Sequence, residues 1–348
     1  MPKPDAKSIA RDSGQQLMHR AARIEDTFHR WRERRGRRAG LVTTVIPYAG
    51  YGAPGWVRVL SRVVLTRGEN TKQRAEKVRG WRSFFSIPVD DVPVTIRIGE
   101  IEHSVIPGRG GVIDARLDST LGVGWQTITL TVEGTEPVTA PIFVLDPAAE
   151  FGIISDVDDT VMVTALPRPF LAAWNTFVLD EHARVPVPGM AVLYERLRRA
   201  NPGAPVIYLS TGAWNVAPTL TRFMERNLYP AGPLLLTDWG PTHDRWFRSG
   251  RDHKQHSLER IAEEFPGMRW LLVGDDGQHD EDIYGSFAQT HPENVAAIAI
   301  RQLSTGEAVL AGGRSAGQNA GSSAVKWFYA PDGAGLSEQL VDAGLMKA

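Results

Sequence analysis

The chain has 348 residues, 42% apolar and 23% charged, with a formal net charge of −1. That length and balance fit a globular protein with room for one large or two ordinary cores. No run of about 18 apolar residues is available to span a bilayer, no apolar secretory leader opens the sequence, and the absence of cysteine excludes disulfides, thiolate catalysis and cysteine-ligated zinc. A cytoplasmic protein is the expectation.

The charge is unevenly spread. Residues 1–40 hold 11 Lys and Arg against 5 acidic residues, which leaves 28 against 35 for the remainder. Within this head, Leu17, Ala21, Ile24, Phe28 and Trp31 recur at alternating spacings of four and three, with arginines between them. The spacing predicts a basic amphipathic helix over 1–40, ending near Gly36 in an RRGRR cluster. Such a helix either packs on its own protein or makes peripheral contact with an anionic membrane surface. No nucleic acid partner is expected.

From 41 to 147 the period shifts to two. WQTITLTVEG sets Ile128, Leu130 and Val132 against Thr127, Thr129 and Thr131, and PVTIRIG sets Val94, Ile96 and Ile98 against Thr95 and Arg97. With WVRVLSRVVL and PIFVLD, these short strands bounded by Gly and Pro predict a small all-β sandwich-like or barrel domain. One helical insertion is expected at about 71–86. AGYGAPG places Gly50, Gly52 and Gly55 at the spacing of a dinucleotide-binding turn, but that turn must open a helix, and Pro54 followed by a strand pattern makes it a plain turn.

From 148 to 348 short apolar runs alternate with helical patterns. The runs are FGIIS, VIYLS (206–210), LLLT (234–237), WLLVG (270–274) and VAAIAI (295–300). Helix 189–200 presents Met190, Leu193, Tyr194 and Leu197 on one face, and Asn201-Pro202-Gly203 stops it. Strands apolar throughout and separated by helices predict an α/β, Rossmann-like parallel sheet covered on both faces, where ligands bind at the carboxyl ends of the strands. GGRSAGQNAGSS (312–323) reads as a loop, and VKWFYA returns to the fold.

The polar residues sit at those strand ends. The first strand delivers Asp156, Asp158, Asp159 and Thr160; the second ends in Ser210-Thr211-Gly212; another finishes in Gly274-Asp275-Asp276-Gly277-Gln278-His279-Asp280. Before the last, RDHKQHSLERIAEEF is a helix pattern with Lys254 in its first turn. Crowded carboxylates repel one another and resist burial, so their concentration at one sheet edge calls for cations. Aspartates bind Mg²⁺, which takes hard oxygen ligands, while Lys254, the Ser210 hydroxyl and backbone N–H groups can hold phosphoryl oxygens. The chemistry that fits is phosphoryl transfer, with Asp156 attacking phosphorus and Asp158 protonating the leaving oxygen and later activating water. Asp276 is open between a metal ligand and an exposed side chain. His253 and His256 read as helix-surface or hydrogen-bonded histidines, and His279 either orients the last motif or is structural.

This order of parts resembles the haloacid dehalogenase superfamily, whose motifs are D-x-D-x-T, a strand-end Ser/Thr, a Lys, and G-D followed by a further Asp. The resemblance implies Asp156 as nucleophile, Asp158 as acid/base, Ser210 as phosphate-binding hydroxyl and Lys254 as charge anchor. It also implies Thr160, Thr211 and Gly212 beside the substrate, Mg²⁺ held by Asp156, Asp275 and the position of Asp158 (through its backbone carbonyl), and Asp276 and Asp280 in support. SDVDDT, YLSTGAWN and VGDDGQHDEDIY look most like the actin-patch-protein type of Mg²⁺-dependent phosphatidate phosphatase, closely over about 150–300, with PDGAGLSEQLVDAGL also fitting. Val157 replaces the commoner Ile, and DD replaces the commoner DS after Gly274.

The expected substrate is therefore phosphatidate or a related phosphorylated lipid, with a soluble phosphorylated small molecule as the alternative. A non-enzymatic Mg²⁺-dependent phospho-acceptor module is a second alternative; in receiver domains the hydroxyl and Lys come after both acid positions, whereas here the hydroxyl precedes Lys254 and the second acid pair. A cap insertion at 164–188 follows the nucleophile, with Phe170, Leu171, Trp174 and Phe177 lining an acyl groove or packing the cap onto the core. WGPTHDRWFRSG (239–250) sets Trp239, Trp246 and Phe247 beside Arg245 and Arg248, which suits an anionic head group at an apolar boundary and equally suits an ordinary ordered loop.

Overall fold

The computed structural model describes residues 31–67, 86–163, 184–237, 243–277, 279–310, 313 and 325–347. The basic head before Trp31, the helical insertion expected at 71–86 (apart from Ser86), the aromatic part of the 164–188 insertion and nearly all of the 312–323 loop lie outside these residues. A helix at 31–38 leads into the first strand.

The front half is a nine-stranded sheet among the described residues. Its strands are β1 (Leu41–Pro47), β2 (Gly50–Ala53), β3 (Gly55–Arg67), β4 (Ile87–Pro88), β5 (Val94–Ile98), β6 (Ile101–Val105), β7 (Val112–Ser119), β8 (Gly124–Val132) and β9 (Val138–Val144). The order is β1-β3-β2-β9-β8-β5-β6, and β4 and β7 also pair with β3. The long β3 makes this possible: its first part pairs with β2 and β7, its second with β1 and β4. Alternation then works as the pattern implies, with Ile128, Leu130 and Val132 buried in β8 beneath Ile96, Ile98 and Ile113. Gly50, Gly52 and Gly55 lie on two successive antiparallel strands and open no helix.

The back half carries β10 (Phe151–Asp156), α1 (Met190–Ala200), β11 (Val206–Ala213), α2 (Ala217–Arg226), β12 (Leu234–Thr237), α3 (His243–Glu264), β13 (Arg269–Asp275), α4 (Asp280–Thr290), β14 (Val295–Arg301), β15 (Trp327–Ala330) and α5 (Gly333–Asp342). All neighbours in its six-stranded sheet are parallel, in the order β12-β11-β10-β13-β14-β15. The chain starts in the middle at β10, builds outward to one edge, then returns to build the other. Its direction reverses between β10 and β13, the place where open parallel sheets bind ligands. A short ribbon, Met162–Val163 against Val185–Pro186, brackets the cap insertion directly after β10.

One element departs from its expected limits. Helix α3 begins at His243, so most of the segment read as a loop at 239–250 is helical and Lys254 lies well inside the helix, not in its first turn. The reason is Gly250, which marks a helix boundary in sequence but here lets the helix approach β11: a Cβ at this position would meet Thr211 Cγ2 at 2.9 Å.

The two halves are joined by packing and charge. Tyr48, Tyr51, Leu60, Val112 and Leu145 belong to the core cluster of the parallel sheet, and Tyr51 and Trp56 lie 5.9 and 5.5 Å from the Phe265 ring. Around them Arg58 donates to Glu264 Oε1 through Nε at 3.0 Å and Nη2 at 2.5 Å, and Tyr51 OH donates to Glu264 Oε2 at 2.8 Å. Asp114 bridges Arg58 and Arg260 at 2.6 and 2.7 Å. Among the described residues, no helix is long and apolar enough to cross a membrane.

Candidate active site

Strand register brings the candidate residues together. Asp156 ends β10 opposite Leu209 of β11, one residue before Ser210, and Ser155 faces Val273 of β13, two residues before Asp275. After Asp156 the chain turns sharply. The N–H groups of Val161 and Met162 both donate to the Val157 carbonyl, and Asp159 N donates to Met162 O at 2.8 Å. Asp159 takes a left-handed φ of 58°, a conformation Asp tolerates better than most residues. The turn carries Asp158 round to the same side as Asp156, where its Oδ2 accepts from Ser210 Oγ at 3.0 Å. Ser210 Oγ in turn accepts from Gly212 N at 3.0 Å. The β11–β12 register shifts between Leu209 and Ala213, re-aiming this stretch out of the ladder.

Lys254 reaches the centre from α3. Its Nζ lies 2.6 Å from Asp156 Oδ1 and 2.6 Å from Asp280 Oδ1, and the residue is 2% exposed. Gly274 makes room for the second of these acids, since a Cβ there would sit 2.6 Å from Asp280 Oδ2. Asp275 accepts from Gly277 N through Oδ1 at 2.7 Å.

Burial, opposed by Lys254 and reinforced by Asp280 and Asp158, pushes the Asp156 carboxyl well above the ordinary carboxylate range. Burial and the surrounding Asp280, Asp156 and Asp159 do the same to Asp275. Asp158 is raised by burial, with Lys254 and the Ser210 hydroxyl working against the rise. For Lys254, burial alone would favour the neutral amine; Asp156 and Asp280 outweigh it and keep the ammonium charged. With one ammonium in contact with them, these buried acids lack the positive charge they would need to ionise together.

A cation fits that deficit. Ligand oxygens of Asp156, Asp275 and Asp280 can all lie within 4.8 Å of one another, and Asp156 Oδ2 and Asp275 Oδ2 are buried without a hydrogen-bond partner. An all-carboxylate donor set suits a hard divalent ion such as Mg²⁺. Asp280, expected only in support, thus stands beside Asp156 and Asp275, while the Asp158 side chain is turned to Ser210, as suits a residue expected at the metal through its backbone carbonyl.

The other expected residues divide. Thr160 is buried beside the turn with Oγ1 unpartnered, Gly212 is engaged with Ser210, and Thr211 is half-buried against Gly250. Asp276 is buried and its Oδ1 accepts from Leu303 N at 2.8 Å, an anchor for the chain leaving β14. Half-buried His253 lies 3.3 Å from the Leu235 carbonyl, and exposed His256 is paired with Glu259, so neither joins the acids. His279 is exposed at the start of α4.

Two arginines escaped the sequence reading. Arg184, at the return from the cap insertion, is buried, donates to Thr219 O at 3.4 Å and places its charge near Asp158. Arg301 ends β14 and donates to the Asp159 carbonyl at 2.8 Å. The available signal was position alone, a basic residue closing the apolar run VAAIAI at a carboxyl end of the sheet. Elsewhere, a cavity of about 720 Å³ between β1, β8 and α2, lined by Tyr48, Trp125, Met224 and Tyr229, contains none of the acids.

Residues 151–302 match the family model described as Phosphatidate phosphatase APP1, catalytic domain. Over 180 residues the chain is 28% identical to Phosphatidate phosphatase APP1 of Saccharomyces cerevisiae, covering 50% of this chain and 30% of that protein. Together these matches support a phosphatase. An uncharacterized protein of Schizosaccharomyces pombe is 26% identical over 152 residues, covering 43% of this chain and 25% of its own length. The chain thus spans less than a third of the length of these curated relatives. Among solved structures, a carbohydrate acetylesterase from Xanthomonas citri has a TM-score of 0.28 at 8% identity over 78% of this chain and 73% of that one, too slight a likeness to carry an argument.

Proposed function

We propose that the chain is a Mg²⁺-dependent phosphomonoester hydrolase of the haloacid dehalogenase type, acting on phosphatidate or a closely related phospholipid. The observation that carries this reading is the meeting of Asp156, Asp275 and Asp280 around Lys254 at the strand-order reversal, with buried carboxylate oxygens left unpartnered. The lipid substrate rests on the catalytic-domain match and not on the geometry.

Asp156, Asp275 and Asp280 would hold Mg²⁺, which when bound offsets the charge of the ester and of the attacking carboxylate. Lys254 keeps Asp156 and Asp280 apart and in place, and it stays charged to receive phosphoryl oxygens. An Asp156 carboxylate oxygen attacks phosphorus; an Asp–O–P bond forms and the P–O bond to the alcohol breaks. Asp158 gives its proton to the departing oxygen, consistent with its raised affinity for that proton, and the alcohol leaves. Asp158, now a carboxylate held by Ser210, takes a proton from water as that water attacks; the bond to Asp156 breaks and phosphate is released. The basic segment 1–40 is the part of the chain suited to an anionic lipid surface.

The test compares phosphatidate in mixed micelles with a panel of soluble monoesters, each with and without Mg²⁺. Release of phosphate from phosphatidate that requires Mg²⁺ is expected; preference for a soluble ester would replace the lipid, and no release from any ester would remove the hydrolase. Asp156→Asn is expected to lose all phosphate release while its circular dichroism and melting temperature stay close to wild type. Full turnover by that variant would mean the nucleophile lies elsewhere.

A further inference from the structure

Arg301 is buried at the edge of the site, yet the chemistry just described makes no use of its charge. It sits opposite Asp275 in the β13–β14 pairing, so the ladder that sets Asp275 also sets the root of the Arg301 side chain. From there the guanidinium spreads over three acceptors. Nη1 donates to the Asp159 carbonyl at 2.8 Å, Nε to the Pro331 carbonyl at 3.3 Å, and Nη2 to Glu307 Oε1 at 2.6 Å. Glu307 is itself held, its Oε2 accepting from Ser304 N at 2.8 Å.

The Asp159 contact matters because of where that residue stands. It has the left-handed φ of the turn and adjoins Asp158. Asp adopts such a conformation more readily than most side-chain-bearing residues, but still at a cost that its surroundings must offset. Here the offset comes from Asp159 N on Met162 O at one side of the residue and Arg301 on its carbonyl at the other. A charged donor on a buried carbonyl is among the stronger hydrogen bonds available.

We infer that Arg301 is a positioning residue, fixing the turn that aims Asp158 at the leaving-group oxygen. The inference rests on the hydrolase reading and adds to it a residue that touches neither substrate nor metal. It makes a prediction that packing alone does not. Protonation by Asp158 matters when the departing alcohol is a poor leaving group and little when it is a good one. The ratio kcat/KM reports the first half-reaction, in which the bond to Asp156 forms, the ester P–O bond breaks and the Asp158 proton moves. A misaimed Asp158 therefore lowers kcat/KM for an alkyl phosphate and spares p-nitrophenyl phosphate.

The experiment measures both esters with the full chain and Mg²⁺. Arg301→Met is expected to lose about 30- to 100-fold in kcat/KM on an alkyl monoester, the scale of a small misplacement of a general acid. On p-nitrophenyl phosphate the loss is expected to stay below about threefold, with a burst of nitrophenol because the water-attack step, which also needs Asp158, is slowed. Arg301→Lys should recover part of the alkyl rate by returning a cation to the Asp159 carbonyl. Glu307→Gln loosens the same guanidinium, should show the same skew at smaller size, and carries the test if Arg301→Met does not fold. Equal losses on both esters, or no loss in a folded variant, overturn the inference alone. Phosphatidate, itself an alkyl monoester, serves as the alkyl substrate, and a wild-type chain that turns over neither it, nor p-nitrophenyl phosphate, nor any other monoester overturns the hydrolase reading and the inference with it.

Discussion

Lys254 bridges Asp156 and Asp280 with the Asp275 carboxylate close by, so on the proposed reading a bound cation would relieve the crowding of these acids. Replacing Asp275 with the isosteric Asn removes one buried carboxylate from the crowd. The Asp275→Asn chain is therefore expected to melt at or above the wild-type temperature without Mg²⁺, and to gain nothing when Mg²⁺ is added. Wild type should gain about 2.7 kcal/mol at a hundredfold excess over the dissociation constant; thermal melts of both proteins with and without the ion check this. His253 gives a second residue-scale outcome. Burial chiefly, against the opposing Leu235 carbonyl, lowers its pKa from 6.5 to about 4. Below pH 6.5 the unfolded chain takes up a proton that the folded chain refuses. Stability is thus full above pH 6.5 and falls as pH drops through the interval to pH 4, by about 3 kcal/mol in all. The melting temperature of His253→Asn should fall less between pH 7 and pH 4.5 than that of wild type. At this scale Asp156, Ser210 and Asp275 were legible because each closes or neighbours an apolar run, and Lys254 because a helix pattern carries it between them. Arg301 and Asp276 were not, because their partners are the backbone groups of Asp159, Pro331 and Leu303, which no residue pattern marks.

Among the elements, α3 shows how a helix can be legible in part and misplaced at its start. Leu258 and Ile261 repeat on its buried face and announce its second half. Its first half carries Gly250 and a polar run that read as a loop, although Gly250 serves the approach to Thr211. Gly250→Val is expected to push the helix off β11 and destabilise the chain by about 1–3 kcal/mol, the usual range for overpacking. It should also lower activity by displacing Lys254 and Ser210 relative to one another; denaturation midpoints and kcat measured together check both effects. The strands were easier to read. Β-period alternation marks β5 and β8, and unbroken apolar runs mark β10, β11 and β13, because burial on one face or two imposes those patterns directly. The irregular stretch at Ser210–Gly212 has no such pattern, and only the pairing with β12 exposes it.

At the scale of the whole molecule, Arg58 and Glu264 are separated by 206 positions, and no local pattern connects them. A double-mutant cycle with Arg58→Met and Glu264→Gln is expected to return a coupling of about 2 kcal/mol, within the range for contacting charged residues. Each single substitution should destabilise more than the pair would imply, because each leaves a partly buried charge without its partner. Urea titrations of the four proteins check this, and additive losses would mean the contact contributes little. The halves were separately legible from their periods of two and of alternating strand and helix. Their contact was not, since Tyr51, Trp56 and Phe265 read equally well as residues of two independent cores.

That contact bears on how portable the acid-bearing half is. Cut free at about residue 148, it would show water the Phe265 ring and a Glu264 carboxylate stripped of both its donors. A natural or engineered chimera that fits a different module in front must therefore bring its own guanidinium and aromatic pair to that surface, or rewrite the last turn of the helix that delivers Lys254.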